Sequence, residues 1–258
     1  MNKHKTKICL PLLFIIFSSC NSQTNKFIDL EKISYSFNVQ AFYQKRIDKT
    51  KEILATNPKN LDRKLALDIF NSPFFAKDTL GIYKSDGRFP TELCLEATND
   101  WMSRDQKPSE IFGYEYRTVA HNPDRDTLAV LNNVIFPKID MAEDLKGNLI
   151  YLEVGKTAKS PTDYEKIKDY LEKNCKKVNI EDDHKNITYW ENQYFFYHLT
   201  SRGAKEEKIL SYNLQGNKTS EMIDVTEINL IMYKKSYIKK MIELNIYSPG
   251  EVFWKKAL

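Results

Sequence analysis

Glycine and proline are scarce in this 258-residue chain, at 8 and 9. That excludes collagen-like, Gly/Ser-linker and Pro-rich architectures. Histidine is scarcer still, and beyond the first residues only His121, His184 and His198 are left for acid–base or metal chemistry. The four cysteines give no pair at zinc-site spacing. There is no Gly-x-Ser-x-Gly elbow, no Ser-x-x-Lys and no glycine-rich phosphate loop. Gly155-Lys156-Thr157 lacks the upstream glycine that a P-loop needs. No apolar run reaches the roughly 20 residues of a spanning helix. On this reading no cofactor and no resident metal is expected.

What is present is a folding composition, 41% hydrophobic and 29% charged. The formal charge of +4 includes Lys3, Lys5 and Lys7. Without them the chain is nearly neutral and lacks the field that recruits nucleic acid, so no nucleic-acid partner is expected.

Met1–Lys7 is basic, and Ile8–Phe17 is apolar. These are the charged and hydrophobic regions of a secretory signal. Phe17-Ser18-Ser19-Cys20 follows directly. It resembles the lipobox of bacterial lipoproteins, with Phe17 where leucine is usual. The resemblance covers the first twenty residues. It implies a signal peptide over 1–19, cleavage before Cys20, and acyl chains such as palmitate on Cys20. The membrane is then a partner through those chains, which hold far better together than singly. Asn21 stands where an inner-membrane retention signal has aspartate, which implies an outer-membrane lipoprotein facing the periplasm. Residues 20–37 then form the lipidated cysteine and its tether.

With Cys9 in the leader and Cys20 acylated, Cys94 and Cys175 remain, in a compartment that permits disulfides. Cys175 continues the apolar stripe Tyr164, Ile167, Leu171 of a predicted helix. Two separately buried thiols are the favoured reading, a bridge between them the alternative.

Helical spacing is read at Ala41–Leu54 and Leu61–Phe70, broken by Asn57-Pro58 and Ser72-Pro73. Strands are predicted at Gly81–Lys84, Leu93–Ala97, Phe112–Ala120, Leu128–Phe136 and Leu149–Val154, the last with Ile150, Leu152 and Val154 on one face. A helix follows, with Ser160 as N-cap and Pro161 in its first turn. Next come strands at Ile187–Trp190, Tyr194–Thr200, Ile209–Leu214 and Val225–Tyr233, then a Lys-rich helix over Ser236–Leu244. The expected fold is α+β. A helical hairpin over 38–75 precedes a domain over 76–258, a mainly antiparallel sheet with one packed helix and a C-terminal helix.

His121-Asn122-Pro123-Asp124-Arg125-Asp126 is the most site-like cluster. His121, Asp124 and Asp126 could hold a hydrated cation or polarise a water. Asn-Pro-Asp is also turn chemistry, and the turn is the favoured reading. Glu181-Asp182-Asp183-His184 reads as a solvated loop. Tyr189, Trp190, Tyr194 and Phe196 are candidates for an aromatic binding surface, against core packing. Lys234, Lys235, Lys239 and Lys240 form a basic helix face that could touch an anionic membrane or polymer. Asp78-Thr79-Leu80 and Asp126-Thr127-Leu128 resemble an Asp-Thr-apolar O-glycosylation signal, which implies Thr79 and Thr127 as acceptors.

The expected function is a lipid-anchored envelope lipoprotein that binds a protein, polymer or ligand without catalysis. The alternatives are a lipid-anchored hydrolase of envelope polymers and an immunity- or inhibitor-type protein.

Overall fold

The computed structural model describes residues 27–34, 36–55, 71–85, 87, 92–98, 106–178, 187–212 and 218–247. Most of these residues lie in strands. Ten strands build one large sheet: β2 (Phe74–Lys84), β3 (Leu93–Ala97), β4 (Glu110–Ala120), β7 (Lys138–Asp144), β8 (Leu149–Ala158), β9 (Lys176–Val178), β10 (Ile187–Glu191), β11 (Phe195–Tyr212), β12 (Lys218–Lys234) and β13 (Ile246–Tyr247). Their order is β13-β3-β2-β4-β7-β8-β12-β11-β10-β9, antiparallel except for the β13–β3 pair. A smaller sheet holds β1 (Ile28–Asp29), β5 (Ala129–Leu131) and β6 (Val134–Phe136). Three helices are seen among the described residues: α1 (Val39–Ala55), α2 (Thr162–Asn174) and α3 (Lys235–Glu243). None is long and apolar enough to cross a membrane. The expected α+β class with a large antiparallel sheet is therefore observed. The second arm of the expected hairpin, Leu61–Phe70, lies outside the described residues, as do Cys20 and the Glu181–His184 loop.

One face of the large sheet carries the main core. Tyr116, Met141, Leu152, Val154, Leu230, Met232, Leu199 and Trp190 pack there beneath α1, α2 and the small sheet. α1 starts where Asn38 Oδ1 accepts the Ala41 N–H at 2.8 Å, an N-cap bond. Its buried residues Val39, Phe42, Tyr43, Ile47 and Thr50 recur at helical spacing. Tyr43 donates its hydroxyl to the Ile139 carbonyl at 2.8 Å, so the helix is pinned to β7. The second face packs Leu80, Ile82, Phe112, Ala142, Ile150, Phe196 and Tyr233 against Tyr237, Ile238 and Met241 of α3.

The structure corrects several sequence expectations. Leu128–Phe136 is not one strand but the β5–β6 hairpin. Asn132 and Asn133 both take positive φ, 47° and 61°, as a two-residue hairpin turn requires. β7 was not expected, because Asp140 and Glu143 interrupt its apolar alternation yet are buried. The expected strands Tyr194–Thr200 and Ile209–Leu214 meet in a single strand, β11, over Phe195–Tyr212, and residues 213–214 lie outside the described residues. The intervening Arg202 and Lys205–Lys208 are exposed, so no buried face marks them. Ile150 does not share a face with Leu152 and Val154. A register shift opposite Ala142 and Glu143 turns it to the second core. Pro161, not Ser160, occupies the N-cap of α2, while the Ser160 hydroxyl accepts the Thr162 N–H at 3.3 Å. In keeping with the favoured reading, Cys94 and Cys175 are both free thiols, Cys94 buried and Cys175 half-buried.

Glycine is required at one crossing. A Cβ on Gly113 would lie 1.9 Å from the Glu143 carbonyl oxygen, so β4 and β7 meet there only without a side chain.

Candidate functional site

The loop after β4 is built around Asn122. Its backbone carbonyl accepts the Asp126 N–H at 2.9 Å, and its side-chain oxygen accepts the Asp124 N–H at 3.0 Å. Asp126 Oδ2 in turn accepts the Asn122 N–H at 2.7 Å. The short side chain thus replaces a backbone turn partner, which is how Asn-Pro-Asp sequences close. Asp126 is buried, with the Arg125 guanidinium 3.5 Å from its other oxygen. His121 is half-buried at the head of the loop. Burial lowers its pKa below 6.5, against the opposing pull of Asp126 and Asp140.

This loop forms one wall of an open cleft of about 430 Å³. The facing wall is the end of β8 and the start of α2, with Lys156, Lys159 and Asp163, and Ile135 of β6 also lines it. Sequence reasoning named Asp124 and Asp126. It did not place Lys156 or Asp163 among the candidate site residues, since they are 30 or more residues away and have no local signal linking them to the loop. The structure brings Asp124, Asp126 and Asp163 to one cleft, whereas His121 is not among the residues that line it. Lys156 pairs with Asp163 across the junction, and Lys166 stands 3.8 Å from the same carboxylate. Cations and acids are therefore matched along both walls. Thr127 lines the cleft half-buried, while Thr79 sits in mid-strand on β2, opposite Tyr114 of β4.

A second polar group, marked by no local sequence pattern, lies on the face of the sheet that carries α3. Asp140 of β7 and Glu153 of β8 are directly opposite in the ladder. Like charges so placed repel, and each needs a counter-partner. Asp140 accepts the Thr118 N–H at 2.7 Å and holds Lys138 Nζ at 3.1 Å. Glu153 accepts from the Asn229 amide at 2.9 Å. Burial alone would lower the Lys138 pKa, but Asp140 and Glu153 together hold it above its ordinary value. Glu115 extends the row onto β4, where it takes the Tyr151 hydroxyl and lies 3.5 Å from Arg117. Burial, then Glu115, drives the Tyr151 pKa well up. Glu115, Asp140 and Glu153 lie on three different strands with no shared local spacing, so each reads from the sequence as an ordinary charged residue.

The aromatic candidates prove to be core. Trp190 is fully buried on the first face, and Tyr189 and Phe196 are buried on the second. Alternation along β10 and β11 divides the buried rings between the two faces of the sheet. Of the four, only Tyr194 in the β10–β11 turn is exposed. His198 stacks on Tyr189 with ring centroids 5.0 Å apart. The lysine face of α3 is partly engaged, since Lys235 pairs with Glu191 at 2.7 Å and Lys234 is buried.

Compared with protein-family models, with curated proteins and with solved structures, the chain matches none.

Proposed function

We propose that this protein is a lipid-anchored envelope lipoprotein, acylated on Cys20, that works as a non-catalytic binding or accessory module. The observation that carries the reading is the basic and apolar leader ending in Phe17-Ser18-Ser19-Cys20. The outer membrane, periplasmic side, is the assigned location, on account of Asn21. Support for binding rather than chemistry comes from the cleft. Asp126 and Asp163 are held by backbone and cationic partners, which suits a charge-balanced recognition surface better than proton transfer. Thr127 remains the better-placed of the two proposed glycosylation acceptors, because it lies in an open cleft rather than in a central strand.

A hydrolase reading has one observation in its favour, the facing carboxylates Asp140 and Glu153 with Glu115 alongside. Their engagement with Thr118, Lys138, Asn229 and Tyr151 makes a structural role the stronger account. The test is Cys20→Ala in cells. The variant should leave the membrane fraction while the wild type stays in it. An unaltered membrane fraction for the variant would refute the anchor.

A further inference from the structure

We propose that the outer face of the β1–β5–β6 sheet, with the rim of the adjoining cleft, is the surface laid against the bilayer. This rests on acylation of Cys20. Six residues separate Cys20 from Phe27, the first described residue. Fully extended, the chain from Cys20 to Phe27 spans at most ~25 Å. The body of the protein is therefore held close to the membrane by the part nearest Phe27.

That part is identified by hydrogen bonds. The Ile28 N–H donates to the Leu128 carbonyl at 2.9 Å, and the Leu128 N–H to the Phe136 carbonyl at 2.9 Å. Ile28, Leu30, Ala129, Leu131, Val134 and Phe136 point into the core. Strand alternation then leaves Asp29, Val130 and Ile135 facing outward. Two of these outward positions are apolar, where a solvated sheet would carry polar groups. Ile135 is 47% exposed, and Phe27 at the entry to the sheet is 42% exposed. Beside them the ionic groups are matched, Lys32 with Asp29 at 2.7 Å and Lys156 with Asp163, so this face carries little net charge to repel anionic headgroups.

The competing surface is at the other end of the large sheet. There Leu145 is 59% exposed and its N–H donates to the carbonyl of Phe112, whose ring packs against Tyr237 of the basic α3. The ten-residue strand β8 runs between the two ends, from Leu149 to Ala158 beside the cleft. At ~3.3 Å per residue it covers ~30 Å, more than the tether can span. The lysine-rich helix is thereby directed away from the anchoring membrane.

The test uses the full-length acylated chain in vesicles of phosphatidylethanolamine and phosphatidylglycerol, with and without brominated acyl chains. Ile135→Trp and Leu145→Trp are compared, both at solvent-exposed positions. Bromine should quench the added indole of Ile135→Trp several-fold more than that of Leu145→Trp. Equal quenching, or stronger quenching at position 145, overturns the docking surface while leaving the anchor standing. An intact mass without acyl chains, with the protein free of the vesicles, overturns the anchor and this surface with it. The mass separates the two failures.

Discussion

The two faces of the large sheet solve the same burial problem with different chemistry. The first face is closed by α1, α2 and the small sheet and is mostly apolar, with one buried acid, Glu143, which accepts the Tyr116 hydroxyl at 2.6 Å. The second is apolar only where α3 crosses it, around Phe112, Ile150 and Tyr237. Further along, the same strands carry Glu115, Asp140 and Glu153 with Arg117, Lys138 and Asn229. Stability on the first face comes from area removed from water. On the second it depends on each charge finding a partner, since an unpaired buried group costs the full desolvation penalty. The first face should therefore respond to lost volume, the second to lost hydrogen bonds.

Substitutions can break this contrast. The largest effect is expected on the first face. Leu152→Ala removes a fully buried side chain and should cost about 2–5 kcal/mol in denaturant unfolding. A loss below about 1 kcal/mol would mean that this face is loosely packed. On the second face, Asp140→Ala should cost about 1–3 kcal/mol, because the Thr118 N–H loses its acceptor. Asp140→Asn, which keeps an oxygen there, should recover part of that loss. If the two variants are equally stable, the hydrogen bond is not what matters.

Smaller again is the exposed ribbon of β11 and β12. Among the described residues it continues past the last pairing with β8, at Thr226–Ala158, as two strands alone. Cross-strand pairs Lys208–Glu221 and Lys218–Glu207 lace it together, and Arg202–Glu227 closes its base, where β12 still pairs with β8. Each is solvent-exposed, so Arg202→Ala should change stability by only about 0.2–1 kcal/mol, and less in high salt. A larger, salt-independent loss would show that the ribbon is packed against something.

The pH response of His121 sharpens the same contrast at the edge of the cleft. Its folded pKa lies below 6.5, chiefly through burial. As pH falls below 6.5 the unfolded chain takes up a proton that the folded chain resists, so stability declines until the folded pKa is passed. His121→Gln should flatten this part of the melting-temperature profile. An unchanged slope would assign the decline to other groups. No effect at all is expected from reduction. With Cys94 and Cys175 both free, melts with and without reductant should coincide. Burial raises the Cys175 thiol to about 11, which keeps it unreactive near neutral pH.

The contrast between the faces also explains what could be read in the sequence. Apolar periodicity located α1, α2, α3 and the strands that bury one clean face, because burial writes a repeating pattern. It failed at β7, where buried acids sit in the alternation, and in mid-β11, where neither face is buried. Asn132-Asn133 was a hairpin signal hidden inside an apolar run. The Asn122 turn was legible because Asx chemistry is local. The cleft was not, since Lys156 and Asp163 reach Asp124 and Asp126 only through the fold. The row formed by Glu115, Asp140 and Glu153 depends on strand register, which no local pattern encodes.

The anchor is tested most directly by the mass of the N-terminal peptide of the protein recovered from its native membrane. Acylation predicts that the peptide begins at Cys20 and carries the added mass of fatty acyl chains. A peptide that begins at Met1, or one that contains an unmodified Cys20, would contradict it.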